Sequence, residues 1–125
     1  MLTQLLIHYI LMCYKNNSSS FLGSGVVFNK FTGSRGKSGS NDANAEYLAV
    51  LRNIMDNHNV HFQMSELGKV DAGGGGTIAY IMSLYGMEVI DCGVAVLNMH
   101  APWEVTSKAD IYETYKCYKA FLKNA

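Results

Sequence analysis

Two short stretches of the sequence carry residue types and spacings that could do chemistry. One is the glycine run from Gly73 to Thr77, GGGGT, which precedes a helix-like segment. Each glycine costs roughly 0.5–1 kcal/mol of extra backbone entropy on ordering, so a run of them indicates a backbone that approaches something closely. The other is His100, which follows an apolar segment and precedes a proline turn. We expect its imidazole at a sheet edge, where a metal ligand or an acid–base group would act.

The glycine run has three interpretations. Free N–H groups at a helix N-terminus hold anions, but GGGGT has neither the GxxxxGK[ST] spacing of a phosphate-binding loop nor GxGxxG. A row of bare amides beside a sheet edge suits a peptide backbone or an oxyanion equally well. A hinge is the third interpretation. The spacing alone does not choose among them.

Spacing also leaves the metal site around His100 incomplete. A catalytic zinc needs around three protein ligands and an open position, and His100 supplies one. The other candidate ligands are spread along the chain without ligand spacing: Glu66, Asp71, Asp91, His58 and His61. A lone histidine is more often structural than catalytic, so no complete metal site follows from the residues alone.

The elements that must position these stretches follow from hydrophobic periodicity. The segment 22–31 has a β-rich centre and predicts a strand, followed by a glycine- and serine-rich basic loop. Asn41 and Asp42 are the predicted caps of a helix over 43–57. The apolar residues of that helix recur at helical spacing, at Leu48, Leu51, Ile54 and Met55.

The second half of the chain continues the alternation. Val60, Phe62 and Met64 alternate with polar residues and predict a half-buried strand. A helix over 77–85 is predicted to end at Gly86, where a left-handed cap needs no side chain. The apolar segment 87–99 predicts one or two buried strands.

The last helix is predicted to begin at Ser107. Ser107 to Asp110 resembles a capping box with aspartate in place of glutamate. We assign Trp103 and the tyrosines of this helix to packing, along a row formed by Ile111, Tyr115, Tyr118 and Leu122. Helices that alternate with strands predict an α/β layer architecture. Such a fold would bring the glycine run and the His100 loop to the same sheet edge.

Composition limits the classes of partner. The 125 residues contain 10 Lys plus Arg and 10 Asp plus Glu, so no net field favours nucleic acid or an anionic membrane. The 3 cysteines show no CxxC spacing, and their odd number argues against a disulfide framework. We therefore expect a reducing, cytoplasmic setting, without nucleic acid or membrane partners.

The first residues differ from the rest of the sequence. The segment 2–12 is apolar but has no basic leader before it, and it is shorter than the roughly 20 residues that span a bilayer. A serine- and asparagine-rich stretch follows at 16–20. We expect residues 1–20 to lie outside the fold and residues 21–125 to form one domain.

The tract from about residue 21 to 122 resembles the C-terminal part of the catalytic domain of the aspartyl aminopeptidase family, the zinc metallopeptidases related to vacuolar aminopeptidase I. The resemblance is closest to the bacterial branch. It is carried, in order, by GVVFNKFTGSRGK, SNDANAEYLAVLR, GKVDAGGGGTIAYI and YGMEVIDCGVAVLNMHAPWEVTSKADIYETYKCYKAFL. Several separate motifs in the same order make the match specific.

The resemblance implies a partial zinc-peptidase-like sheet flanked by helices, which in the intact family carries two zinc ions. It implies that His100 matches the last zinc ligand. Lys30 would match a substrate-binding lysine, which could neutralise an acidic side chain on the first residue of a peptide. The backbone of Gly75, Gly76 and Thr77 would line the pocket for that peptide substrate.

The departures from the family pattern set a limit on activity. The first histidine ligand, the bridging aspartate, the catalytic glutamate and another carboxylate ligand lie upstream of the matched part, so we expect no catalytic residue in this chain. Ser38 stands where a tyrosine is expected. The family forms large homo-oligomers through an inserted domain that is also outside the match.

Three functions follow as expectations. The first is a truncated metallo-aminopeptidase that is inactive alone. The second is a non-catalytic interaction fragment, which docks on a homologue or on a separately encoded N-terminal half. The third is a small anion-binding domain that uses the glycine run.

Overall fold

The computed structural model describes residues 3–4, 19–32, 41–66 and 79–124. Strands and helices alternate along the chain within these ranges, which confirms the α/β class. In chain order the elements are β1 Thr3–Gln4, β2 Val26–Asn29, β3 Phe31–Thr32, β4 Asn41–Asp42, α1 Ala45–Asn57, β5 Phe62–Ser65, α2 Ala79–Ser83, β6 Asp91–Gly93, β7 Ala95–Leu97, β8 Val105–Thr106 and α3 Lys108–Asn124.

The strands of the described ranges form two three-stranded sheets and one short ribbon. In the first sheet β2 lies in the centre, parallel to β5 and antiparallel to β6, with Phe28 opposite both Met64 and Cys92. In the second sheet β7 lies between parallel β1 and antiparallel β8. The ribbon pairs β3 with β4. The apolar segment 87–99 therefore supplies two strands that belong to different sheets.

The core is built around β2, all of whose residues are buried. On one face of the strand, Val26 and Phe28 pack with buried residues of the helices and of the α1–β5 connection, namely Ile54, Met55, Val60, Cys117 and Ala120. On the other face Val27 packs with Ala95 and Leu97 of β7. Burying one such apolar side chain contributes about 1.5–3 kcal/mol. β2 is thus held from both sides, and Lys30 follows directly at its end.

Helix α1 forms where its periodicity predicts it, but its cap differs. Leu51, Ile54 and Met55 are buried as expected. Asn44 is the N-cap, and its side-chain oxygen accepts a hydrogen bond from the Tyr47 N–H at 2.7 Å. The prediction that Asn41 or Asp42 caps this helix is wrong, because these two residues form β4 and pair with β3.

Asp110 has a different role from the predicted capping box. Its side chain is fully buried, and its carboxylate accepts the backbone N–H groups of Gly23 at 2.8 Å and Gly25 at 2.9 Å. Gly25 has φ +88°, and a Cβ there would lie 2.1 Å from the carbonyl oxygen of His61. The start of α3 therefore fixes the turn that leads into β2.

The exposed face of α3 corrects a second prediction. Packing is predicted for Trp103 and for the row Ile111, Tyr115, Tyr118 and Leu122, but all of these side chains are exposed, Trp103 by 83%. The helix buries a narrower stripe at Asp110, Cys117 and Ala120. Small residues on that stripe let α3 approach β2 and α1 closely, and the larger side chains are left outside.

Two other elements depart in detail from their predicted pattern. In β5 the alternation breaks, since Met64 is exposed and Ser65 is buried. Helix α2 begins at Ala79, so the start predicted at Thr77 lies outside the described residues. Gly86 has φ +70°, as expected for the end of that helix.

Only four of the first 20 residues are described. The backbone of β1 pairs with β7, with Thr3 opposite Ala95, and Ser19 and Ser20 are buried. The expectation that residues 1–20 lie outside the fold stays a prediction, as does the exact boundary.

Candidate functional site

His100 lies on a seven-residue hairpin loop, residues 98–104, between β7 and β8. The sequence predicts that the His100 loop leads from the apolar strand directly into the last helix. In the structure the chain first returns as β8, and α3 follows it. Leu97 pairs with Val105 at the base of the loop. The Thr106 hydroxyl donates to the carbonyl oxygen of Ala95 at 2.8 Å, which fixes β8 on β7.

The backbone of this loop has two left-handed residues, Asn98 with φ 57° and His100 with φ 68°. Asparagine tolerates this conformation, but for a residue such as histidine it costs about 1–2 kcal/mol. The Ala101 N–H donates to the Asn98 carbonyl oxygen at 2.9 Å. The His100 N–H donates to Oε1 of Glu104 at 2.6 Å. A short charged hydrogen bond therefore offsets the backbone strain at His100.

The imidazole of His100 is exposed, as expected for a residue at the edge of the fold. Within the described ranges, no three His, Cys, Asp or Glu side chains come together as a group that could hold a metal ion. The exposed imidazole is accessible to a ligand from outside the described residues, and the assignment of His100 as a zinc ligand stays a prediction. The described residues do not complete a zinc site.

Lys30 lies at the end of β2 and is held through its backbone. Its N–H donates to the Ser65 carbonyl oxygen at 3.2 Å, and its carbonyl oxygen accepts the Ala43 N–H at 2.9 Å. Its ammonium group lies 2.6 Å from Oδ1 of Asp42, and the side chains of the pair are 47% and 60% exposed. Exposed ion pairs of this kind are worth about 0.2–1 kcal/mol, so the Lys30 ammonium can exchange Asp42 for another carboxylate.

The other predicted site residues lie outside the described ranges. These are Gly75, Gly76 and Thr77, together with Ser38. Whether the glycine run and the His100 loop share one sheet edge therefore stays a prediction.

Two residues of the candidate site were missed by sequence reasoning, Asp42 and Glu104. Asp42 reads as a helix cap because it precedes α1, and its pairing with Lys30 depends on the β3–β4 ribbon. Glu104 stands four residues after His100, within a segment whose histidine and proline draw the attention. The sequence signal that could have identified Glu104 is the presence of a carboxylate only four residues from His100.

An apolar cavity of about 130 Å³ lies between the first sheet and the helices, with Tyr47, Cys92, Cys117 and Tyr118 in its wall. The Cys92 thiol donates to the Tyr118 hydroxyl at 3.5 Å. This hydrogen bond, with the nearby cysteine charges and burial, raises the pKa of Tyr118 to about 12. Burial raises the pKa of Cys117 to about 12 as well. Neither group is an acid or base near neutral pH.

Comparison with known proteins connects these features. A sequence profile of the aminopeptidase I zinc metalloproteases, M18, matches residues 9–122. The chain belongs to the M18 family. A probable M18 family aminopeptidase 1 of Clostridium acetobutylicum is 67% identical over 110 residues, which are 88% of this chain and 24% of that protein.

Solved M18 structures share the fold. The crystal structure of aminopeptidase I from Clostridium acetobutylicum matches with a TM-score of 0.86 and 60% identity, over 97% of this chain and 26% of that one. The M18 aminopeptidase of Thermotoga maritima matches with a TM-score of 0.87 and 41% identity, over 99% of this chain and 28% of that one. This chain therefore spans about a quarter of the length of its M18 relatives.

Proposed function

We propose that this chain is the C-terminal portion of an M18 aminopeptidase catalytic domain and that it contributes one zinc ligand and part of the substrate pocket. The observation that carries the proposal is the exposed His100 on a hairpin loop, whose backbone is fixed while its imidazole remains accessible. The function is the release of N-terminal residues from peptides. Alone, the chain is inactive, because the other ligands and the catalytic base that the family resemblance implies are not among its residues.

The residues of this chain have separate parts in that function. When bound, zinc supplies Lewis acidity towards the scissile carbonyl, and the resemblance to the intact family implies two ions. His100 donates one imidazole nitrogen to one of them. This chain accordingly holds at most one partial zinc site.

Lys30 is the proposed specificity residue. Its ammonium group pairs with an acidic side chain on the first residue of a peptide, after it leaves Asp42. The bare amides of Gly75, Gly76 and Thr77 form the wall along which the peptide backbone lies. Only small side chains at these positions leave room for such an approach.

The setting of the enzyme is proposed on more general grounds. Within the described part of the chain, no helix combines the length and the apolar character that crossing a bilayer requires. The three cysteines without CxxC spacing favour the cytoplasm. A fold neighbour at 18% identity is the mApe1 dodecamer, and homo-oligomer formation is proposed for the complete enzyme, through a domain outside this chain.

The first experiment measures zinc content and aminopeptidase activity of the purified chain. Equilibrium dialysis should find less than one tightly bound zinc per chain, and no turnover. His100→Ala removes the proposed ligand, and His61→Ala is the matched control because it removes another exposed imidazole. Stoichiometric zinc with turnover in the unsubstituted chain would contradict inactivity of the chain alone.

The second experiment tests His100 in a complete site. This chain is inserted into the Clostridium acetobutylicum relative in place of the segment that it matches. The aminopeptidase activity of this chimera is then compared with and without the His100→Ala substitution. We expect an active chimera that loses at least about a hundredfold in kcat/KM on His100→Ala, as loss of a direct metal ligand exceeds the 10–100-fold typical of outer-shell partners. Full activity of the chimera after His100→Ala would refute the ligand assignment. The named relatives are aminopeptidases, so a purely non-catalytic interaction role is not favoured.

A further inference from the structure

We propose that Glu104 is a positioning residue for His100, holding the backbone of the loop in the one conformation that presents the imidazole. The inference rests on the proposed function for one point, that the imidazole held in place is a zinc ligand. Its structural part, a carboxylate that sets the left-handed turn, stands on the loop geometry alone. Glu104 does not touch substrate or metal in this proposal and acts only through His100.

The need for a clamp follows from the loop backbone. Asn98 and His100 both have positive φ, with Met99 between them. The base of the loop is closed by the Leu97–Val105 pair, and the Ala101 N–H is satisfied by Asn98. These contacts leave the N–H of His100 to the side chain of Glu104. Without that acceptor, nothing described at the tip favours positive φ over the ordinary right-handed conformation of a histidine.

The place of Glu104 in the chain makes it an effective clamp. It directly precedes β8, and β8 is fixed on β7 by backbone pairing and by the Thr106 hydroxyl bond to Ala95. The carboxylate at the edge of this rigid pair reaches back four residues to the His100 N–H at 2.6 Å. The backbone of His100, and with it the direction in which its side chain leaves the loop, is therefore tied to the sheet and not only to the loop.

The hydrogen bond between Glu104 and His100 does not contribute to the packing of the core. His100 and Glu104 are exposed, and neither belongs to the buried clusters around β2. Removing the carboxylate should release the loop while the fold persists. This separation distinguishes positioning from a general structural role.

The test is an NMR comparison of the ¹⁵N-labelled chain with three variants at position 104. Glu104→Gln keeps an acceptor oxygen at the same reach, Glu104→Asp keeps the charge but shortens the reach, and Glu104→Ala removes both. Glu46→Ala is the control, since Glu46 is an exposed carboxylate on α1. The readouts are the exchange rate and the three-bond coupling of the His100 amide, with urea unfolding for global stability.

We expect the His100 amide to exchange about tenfold faster in the Ala and Asp variants than in the unsubstituted chain. The Gln variant should restore most of the protection, and the unfolding midpoint should stay within error in all variants. Equal exchange in the Ala variant and the unsubstituted chain would overturn the proposal. So would an unprotected His100 amide in the unsubstituted chain, or protection that falls only together with the unfolding midpoint.

The outcome is independent of the zinc experiment. A protected, Glu104-dependent His100 amide in a chain whose His100 fails the chimera test would leave the clamp intact and refute only the proposed function. In the chimera, Glu104→Ala should lower kcat/KM by about 10–100-fold, as for other groups that orient a ligand, with recovery in Glu104→Gln. In a chimera that His100→Ala does inactivate, an unchanged kcat/KM for Glu104→Ala would refute the positioning role.

Discussion

The end of β2 and the β7–β8 hairpin loop present their candidate functional residues in opposite ways. Lys30 extends from a strand that is buried on both faces, and its backbone is fixed by hydrogen bonds to Ser65 and Ala43. Only its side chain is free to change partner. The backbone of His100 lies outside any strand pairing and is held by one side chain, that of Glu104. At Lys30 the neighbouring acid, Asp42, acts on the side chain, whereas at His100 the neighbouring acid acts on the main chain.

The largest expected change in the free energy of unfolding concerns the turn before β2, in the more rigid of the two regions. Gly25→Ala places a Cβ 2.1 Å from the His61 carbonyl oxygen in a turn with φ +88°, so the turn before β2 must move. We expect a loss of about 2–4 kcal/mol in the free energy of unfolding, measured by urea denaturation.

Gly23→Ala is the matched control for that substitution. Gly23 has φ +80°, but a Cβ at this residue would stand in open space, with nothing within 4 Å. The substitution should cost only the conformational part, about 1–2 kcal/mol. Equal losses at the two glycines would mean that the close approach to His61 does not matter.

The next prediction concerns the β7–β8 hairpin loop, where a substitution should raise the free energy of unfolding. His100→Gly relieves the left-handed strain at φ 68° and should raise the free energy of unfolding by about 0.5–1 kcal/mol, after the entropy cost of glycine. His100→Ala keeps a Cβ and should leave stability nearly unchanged. A glycine variant no more stable than the alanine variant would argue against strain in the loop.

The free energy of unfolding should depend on pH through Glu113 of α3. Burial raises the pKa of Glu113, but hydrogen bonds from the His61 N–H and from Lys116 outweigh it and lower the pKa below its ordinary value. A lowered folded-state pKa gives stability that is present above the unfolded pKa and is lost as pH falls through the folded one. The free energy of unfolding should therefore decline below about pH 4.5 less steeply in Glu113→Gln than in the unsubstituted chain. Parallel declines would contradict the assignment.

The smallest effect on stability is expected at the exposed pair. Asp42→Asn removes the 2.6 Å partner of Lys30 and should change the free energy of unfolding by no more than about 0.5–1 kcal/mol. In the chimera it should favour peptides with an acidic first residue, because the Lys30 ammonium no longer has to leave a carboxylate. An unchanged ratio of kcat/KM for acidic over neutral peptides would contradict competition by Asp42.

Local patterns predicted the parts of the fold that depend on local residues. The spacing of Leu51, Ile54 and Met55 predicted the buried face of α1, and Gly86 predicted the end of α2. Asp110 could not be assigned in this way, because its partners Gly23 and Gly25 lie far away in the sequence. Its spacing from Ser107 suggested a local cap instead.

The site was predictable only in part for the same reason. His100 stands at the end of an apolar segment, so its exposure at the edge of the fold followed from the sequence. Its left-handed backbone did not, because a histidine carries no signal for positive φ. The proposed roles of Lys30 and His100 came from family resemblance and stay predictions. The exposed tyrosines of α3 were misassigned since apolar residues occur on both sides of that helix.

The contact between Asp110 and Gly25 has a consequence for how the chain is made. The two residues are 85 positions apart, and at a synthesis rate of about 5–20 residues per second the ribosome adds that interval in roughly 4–17 s. Throughout that time the turn before the central strand lacks its buried acceptor. The turn that leads into β2 can therefore take its final form only after Asp110 has been translated.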